Sequence, residues 1–113
     1  MIIYFRVCQI PSIVLNRFYI MNILLIEDEP KLSLFLKRVL ESKNHVVTCC
    51  ESAEAARRGN FIESSDLLIL DLMLPGESGR SFLQYVRKAG HTLPVLILSA
   101  KDYVNTKISL LEE

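Results

Sequence analysis

The stretch Asp66-Leu67-Leu68-Ile69-Leu70-Asp71 decides the fold, because it is an apolar run that ends in a carboxylate. A second run, Ile23-Leu24-Leu25-Ile26, leads directly into Glu27-Asp28-Glu29. Continuous hydrophobicity of this kind is typical of a strand whose two faces are both covered, as in a parallel sheet between helices. Carboxylates gathered at the carboxyl edge of such a sheet repel one another. They therefore predict a site for a divalent cation or a shared proton.

Short apolar runs alternate with segments of helical period from residue 22 onward. The pattern predicts strands at 23–26, 45–50, 67–70 and 94–98, and helices at 29–43, 51–58, 78–88 and 102–111. Ser52 is the predicted N-cap of the second helix, and Gly59 is its predicted stop. The order βαβαβαβα predicts an α/β fold, with a doubly wound parallel sheet covered by helices on both faces.

The composition is typical of one compact domain, with 113 residues, 50% of them hydrophobic, and a formal net charge of 0. Such a chain lacks the basic surface that nucleic-acid binding requires. Cys8, Cys49 and Cys50 have no metal-ligand spacing. Because neighbouring side chains of a strand point to opposite faces, we expect no disulfide between the adjacent pair. A cytoplasmic protein with reduced thiols is the expectation.

Residues 1–20 differ from the rest of the chain. They are apolar, but Arg6, Pro11 and Arg17 interrupt them, so they form neither a continuous membrane span nor a typical signal peptide. We interpret 1–20 as an N-terminal extension from a non-native start and 21–113 as the folded domain. A membrane-proximal or partner-binding segment is the alternative for 1–20.

Four polar residues follow the predicted strands at the carboxyl edge, where ligands bind in doubly wound folds. Asp28 and Asp71 are candidate Mg²⁺ ligands, with Glu27 acting directly or through water and Met73 through its main-chain carbonyl. The absence of a His or Cys cluster argues against Zn²⁺. Asp71 is also a candidate nucleophile for a phosphoryl group, and the Ser99 hydroxyl could hydrogen-bond that group. Taken singly, each residue also fits a turn or a helix cap.

The sequence resembles the receiver domain of two-component response regulators over residues 21–113. Three segments carry the resemblance: residues 23–30, residues 68–79 with the loop Asp-Leu-Met-Leu-Pro-Gly, and residues 94–102. The loop is most similar to receivers of OmpR/PhoB-type transcription regulators. The resemblance implies a flavodoxin-like fold and a signalling switch rather than an enzyme. A sensor histidine kinase would supply the phosphoryl group, and a receiver homodimer would form in the intact parent.

The resemblance also assigns roles to the residues of the acidic edge. It implies that Asp71 is the phospho-acceptor, that Glu27 and Asp28 form the acidic pocket holding Mg²⁺, and that Ser99 is the switch hydroxyl. Ala100 would leave space beside the phosphoryl group. No direct contact with nucleic acid or membrane is implied for this chain.

Receivers have a fifth strand that carries a lysine, followed by a fifth helix, and the sequence stops after the fourth predicted helix. We therefore expect a receiver fold that lacks the last strand and helix, with an exposed edge at strand four. Lys101 and Lys107 lie on the fourth predicted helix and do not match that lysine. We expect residues 21–113 alone to be marginally stable or aggregation-prone. Alternatively, residues 1–20 pair with the exposed edge.

Two other function classes remain open. A haloacid-dehalogenase-type hydrolase also uses a nucleophilic Asp at a strand end, but it requires a second Asp two residues later, where this chain has Met73. A phosphorylation-independent interaction module, or a receiver fragment without function, is the stronger alternative because the lysine is missing.

Overall fold

The structure is a computed structural model that describes residues 2–6 and 20–99, with the backbone alone described at 2–6 and at Ser99. The strands are β1 (Ile2–Arg6), β2 (Asn22–Ile26), β3 (Val46–Cys50), β4 (Leu67–Asp71) and β5 (Val95–Ser99). The helices are α1 (Pro30–Glu41), α2 (Ala53–Gly59) and α3 (Gly79–Lys88), and a 3-10 turn covers Phe61–Ser64. The predictions for Cys8, Ala100, Lys101, Lys107 and the helix at 102–111 lie outside the described residues.

A single sheet in the order β1-β5-β4-β2-β3 forms the centre of the molecule. β2 pairs in parallel with both β3 and β4, and β4 pairs in parallel with β5. The connections between parallel strands run through helices, as the alternating sequence pattern predicts. The predicted doubly wound, flavodoxin-like sheet is therefore confirmed for its parallel part.

The expected exposed edge at β5 is wrong, because β1 pairs with it in the antiparallel direction. The register runs from Ile2 opposite Ser99 to Arg6 opposite Val95. The main-chain groups on that side of β5 thus have strand partners, which removes the edge that a lone apolar strand would present. This is the alternative in which the N-terminal extension pairs with the sheet. Local sequence patterns do not predict this pairing, because it joins residues 2–6 to residues 95–99.

The core lies on both faces of the sheet. One face packs side chains of β2, β4 and β5 against α2 and α3, among them Leu24, Leu70, Ala56, Phe82 and Val86. On the other face, buried strand residues contact α1 through Leu36 and Leu40, namely Ile23, Leu25, Val47, Leu67, Ile69 and Leu98. Successive residues of one strand thus enter opposite cores, which explains why the apolar runs are continuous rather than alternating.

Helix α1 covers the sheet with only part of its predicted apolar face. Leu34, Phe35 and Val39 are 47%, 56% and 41% exposed, and no residue of α1 is fully buried. The apolar residues of α1 therefore extend beyond the side of the helix that contacts the sheet. None of the helices within the described ranges is both long and apolar enough to cross a bilayer.

The helix ends follow local chemistry. Pro30 occupies the first turn of α1. Ser52 caps α2 by accepting a hydrogen bond from the Ala55 N–H, as predicted. The stop predicted at Gly59 is wrong by one residue, because Asn60 adopts the left-handed conformation with φ 51°. Asparagine tolerates this conformation better than most residues, so it can end a helix in the place of glycine.

Candidate functional site

Three carboxylates meet at the carboxyl edge of β2 and β4. Ile26 pairs with Leu70 in the parallel register, so the next residues along the two strands, Glu27 and Asp71, emerge side by side. With Asp28, they offer ligand oxygens that all lie within 4.8 Å of one another. The structure thus brings together three of the residues predicted for the acidic site.

Glu27 is the most buried member of this group, with 4% of its surface exposed. Its Oε2 accepts a hydrogen bond from the Glu29 N–H at 3.0 Å. Burial raises the pKa of Glu27 to about 7, the Glu29 N–H opposes that shift, and the charge of Asp71 adds to it. Ionising Glu27 beside another carboxylate is costly. Either a bound cation offsets the two negative charges, or Glu27 keeps its proton.

Asp71 is held by the loop that follows it. Its Oδ1 accepts a hydrogen bond from the main-chain N–H of Met73 at 2.8 Å. The loop returns to β4 where the Gly79 N–H donates to the Leu72 carbonyl at 3.3 Å. A Cβ at Gly79 would lie 2.1 Å from the Asp71 carbonyl oxygen, so only glycine allows α3 to begin this close to the strand. Asp71 is therefore fixed through both its side chain and its main chain.

Ser99 lies at the same edge of the sheet as Asp71. Asp71 pairs with Leu98, and Ser99 is the next residue and the last of β5. The backbone thus puts Ser99 one step beyond the residue opposite Asp71, as predicted. The position of its hydroxyl lies outside what the structure describes.

The donor set fits a hard divalent cation. Within the described part of the chain, Glu27, Asp28 and Asp71 form a group that could hold a metal ion, and all three supply oxygen. Oxygen donors suit Mg²⁺, whereas Zn²⁺ prefers nitrogen and sulfur. Cys49 and Cys50 are free thiols, one exposed and one buried, as expected for neighbours in a strand. The Met73 N–H contacts Asp71, which puts the main chain of Met73 next to the acidic group. The Met73 carbonyl stays a prediction as a metal ligand.

A polar cluster that local sequence patterns do not predict joins α2 to the loop between β4 and α3. Arg57 of α2 forms a bidentate ion pair with Glu77 of the loop between β4 and α3, and Glu54 and Ser81 also bond Glu77. The helix predicted at 51–58 assigns no contact to Arg57. The only available signal was the presence of opposite charges at positions 57 and 77, and the topology that joins them is not local.

β1 occupies the side of β5 where a fifth parallel strand would lie, but it runs in the opposite direction. Its basic residue, Arg6, pairs with Val95 at the end of β5 remote from Ser99. Four residues of strand separate these registers by about 13 Å. The described part of β1 therefore brings no lysine to the acidic edge.

Comparison with known proteins gives the family. The sequence model described as "Response regulator receiver domain" matches residues 23–113. The chain is 38% identical over 92 residues to the transcriptional activator protein IrlR of Burkholderia pseudomallei, covering 81% of this chain and 40% of that protein. It is 36% identical over 95 residues to the transcriptional regulatory protein PcoR of Escherichia coli, covering 80% and 40%. The chain thus spans about 40% of the length of these curated relatives.

Solved structures of receiver domains have a similar fold. The receiver domain of the Francisella response regulator 1452 superposes with a TM-score of 0.73 at 30% identity, covering 81% of this chain and 76% of that one. The similarity in sequence and in fold confirms the resemblance to OmpR/PhoB-type regulators. The acidic edge described above lies within the matched segment. The chain therefore belongs to the response regulator receiver domain family.

Proposed function

We propose that this chain is a phospho-accepting receiver in which Asp71 takes a phosphoryl group from the phosphohistidine of a sensor histidine kinase. The observation that carries the proposal is the convergence of Glu27, Asp28 and Asp71 within 4.8 Å at the carboxyl edge of the sheet. Membership of the family supports the same reaction. The protein is a signalling switch whose parent regulates transcription in the cytoplasm, and its relatives' names are consistent with that role.

The transfer moves the phosphoryl group from a nitrogen of phosphohistidine to an oxygen of Asp71. A carboxylate oxygen of Asp71 forms a bond to phosphorus while the phosphorus–nitrogen bond of phosphohistidine breaks. The electron pair returns to the imidazole nitrogen, which takes up a proton, and the product on Asp71 is an acyl phosphate. The Met73 N–H on Oδ1 of Asp71 fixes the carboxyl group, so its rotation is restricted before the donor arrives.

Glu27, Asp28, Asp71 and the Met73 carbonyl would hold Mg²⁺, which when bound neutralises negative charge on the transferring phosphoryl group. Glu27 is buried, so its role is to set the charge of the pocket as well as to bind. Asp28 is exposed and can reach the ion through water. We propose Ser99 as the hydroxyl that hydrogen-bonds the phosphoryl group once it is on Asp71. The boundary between extension and receiver domain is proposed at residue 21.

A test uses the full chain with acetyl phosphate and Mg²⁺, followed by intact-mass measurement. We expect addition of one phosphoryl group, at low yield because β1 carries no lysine beside Ser99, and no addition in Asp71→Asn. Asp66→Asn is the matched control, because it makes the same substitution at the opposite end of β4. Labelling that persists in Asp71→Asn would overturn the assignment.

One observation favours a second candidate, a phosphorylation-independent interaction module. Arg6 lies at the end of β1 remote from Ser99, so the described part of that strand offers no cation to an acyl phosphate on Asp71. Beryllofluoride with Mg²⁺ separates the two functions. Amide signals near Asp71 and Ser99 shift in a working receiver and stay unchanged in an interaction module. The family match argues against the hydrolase alternative.

A further inference from the structure

An ion pair connects helix α2 to the loop between β4 and α3 (residues 72–78). Arg57 donates from Nε to Oε1 of Glu77 at 2.8 Å and from Nη2 to Oε2 at 2.5 Å. The Ser81 hydroxyl donates to the same Oε2 at 2.9 Å. The Arg57 guanidinium also lies 3.8 Å from the centre of the Tyr85 ring, and Tyr85 belongs to α3. A bidentate pair stacked on an aromatic ring has a defined geometry, unlike most surface ion pairs.

A second contact joins α2 to the main chain of the same loop. The Glu77 N–H donates to Oε1 of Glu54 at 2.7 Å. Gly76 has φ +72°, and a Cβ there would lie 2.9 Å from the Glu54 carboxylate. The loop backbone therefore rests against Glu54, while Arg57 holds the Glu77 side chain. The same residue is fixed at its amide and at its carboxylate.

The loop between β4 and α3 also contains Met73. It is anchored at its start by the Met73 N–H on Asp71 and at its end by the Gly79 N–H on the Leu72 carbonyl. Leu74 is buried between these points. A short loop fixed at both ends has few conformations, so the positions of Glu77 and Met73 are restricted together.

We propose that Arg57 and Glu77 are positioning residues, a latch from α2 that orients the loop and so sets the affinity of the Asp71 site for a divalent cation. The inference rests on the proposed Mg²⁺ site and goes beyond it, because it assigns a role to residues that provide no ligand. Partners that orient metal ligands affect binding without touching the ion. α2 would thereby be connected to the phosphorylation site.

The test measures Mg²⁺ affinity of the full chain by calorimetry, well below the melting temperature. We expect Glu77→Gln and Arg57→Gln each to weaken Mg²⁺ binding about tenfold, the low end for partners of metal ligands. The double variant should be no weaker than either single variant, because one shared contact is lost in each case. Arg57→Lys, which keeps the charge but not the bidentate geometry, should give an intermediate affinity. Glu63→Gln and Arg58→Gln are the matched controls and should bind as the wild type does.

Three outcomes decide the inference. Unchanged Mg²⁺ affinity in both folded single variants would overturn the latch, even if their melting temperatures fall, because the contact would then be structural only. Independent, additive losses would overturn it as well. If the wild-type chain binds no Mg²⁺, the proposed function fails instead. The latch is then judged by the Met73 amide signal, which must shift in Glu77→Gln and stay unchanged in Glu63→Gln.

Discussion

The Oδ1 atom of Asp71 accepts a hydrogen bond from the Met73 N–H at 2.8 Å, so the side chain at the end of β4 is fixed by the loop that follows it. This contact links the acidic site to the loop, and Glu77 links the same loop to Arg57 of helix α2. Met73 thus restricts the orientation of the carboxylate on which the proposed phosphoryl transfer depends.

Glu27 makes stability depend on pH. Its folded-state pKa of about 7 lies above the ordinary value of 4.5, so the folded state holds the proton more tightly than the unfolded state does. The resulting stabilisation is complete below pH 4.5 and is lost as pH rises to about 7. Glu27→Gln should therefore raise the free energy of unfolding at pH 8 without metal, by at most about 3 kcal/mol. Urea denaturation at pH 5 and pH 8 measures this; an equal effect at both values would contradict it.

Mg²⁺ should stabilise the protein more at alkaline than at acidic pH. The cation needs ionised ligands, and Glu27 is protonated below about pH 7. We expect Mg²⁺ to raise the melting temperature clearly at pH 8 and little at pH 5.5, and EDTA to reverse the effect. Asp71→Asn should abolish the rise, whereas Asp66→Asn should keep it. A rise of the same size at both pH values would argue against the acidic site as the place of binding.

Gly79→Ala should disturb the site through the main chain. A Cβ at Gly79 would lie 2.1 Å from the Asp71 carbonyl oxygen, and this atom belongs to the backbone, which cannot rotate away. We expect a loss of about 2 kcal/mol or more in unfolding free energy, together with weaker Mg²⁺ binding. Gly90→Ala is the comparison, because a Cβ there meets nothing within 4 Å and only its φ of +92° is unfavourable. An unchanged unfolding free energy in Gly79→Ala would refute the close approach.

β1 should protect one set of amides in β5. Pro94 and Leu98 accept hydrogen bonds from β4, so Leu96 faces β4, and Val95 and Ile97 face β1 by alternation. Tyr4→Pro should weaken the β1 pairing, speed amide exchange at Ile97 about tenfold or more, and leave Leu96 protected. Deleting residues 1–20 should give the same selective loss and a melt below about 50 °C. Unchanged exchange at Ile97 would show that β1 does not cover this edge.

The parallel sheet was predictable because its signal is local. Residues 67–70 and 23–26 are apolar throughout, and each run ends in an acidic residue, so strand direction alone puts Glu27 and Asp71 at one edge. The cap at Ser52 and the place of Pro30 in the first turn of α1 were predictable from short-range chemistry for the same reason.

The features that the sequence did not reveal depend on contacts between distant residues. Arg57 and Glu77 are 20 residues apart and meet only because α2 packs beside α3. The β1–β5 pair joins residue 2 to residue 99, and nothing in either strand specifies direction. The stop of α2 was misassigned because Asn60, rather than Gly59, adopts positive φ. The first two cases are decided by tertiary context rather than by local propensity, whereas the end of α2 is a local choice between the adjacent Gly59 and Asn60.

The most direct test of the central claim locates the phosphoryl group chemically. The full chain is treated with acetyl phosphate and Mg²⁺, and borohydride then reduces any acyl phosphate to the alcohol, which converts aspartate to homoserine. Peptide mapping should find homoserine at position 71, in amounts that fall to background with EDTA. Homoserine at another carboxylate, or an equal amount at position 71 without acetyl phosphate, would contradict Asp71 as the phospho-acceptor.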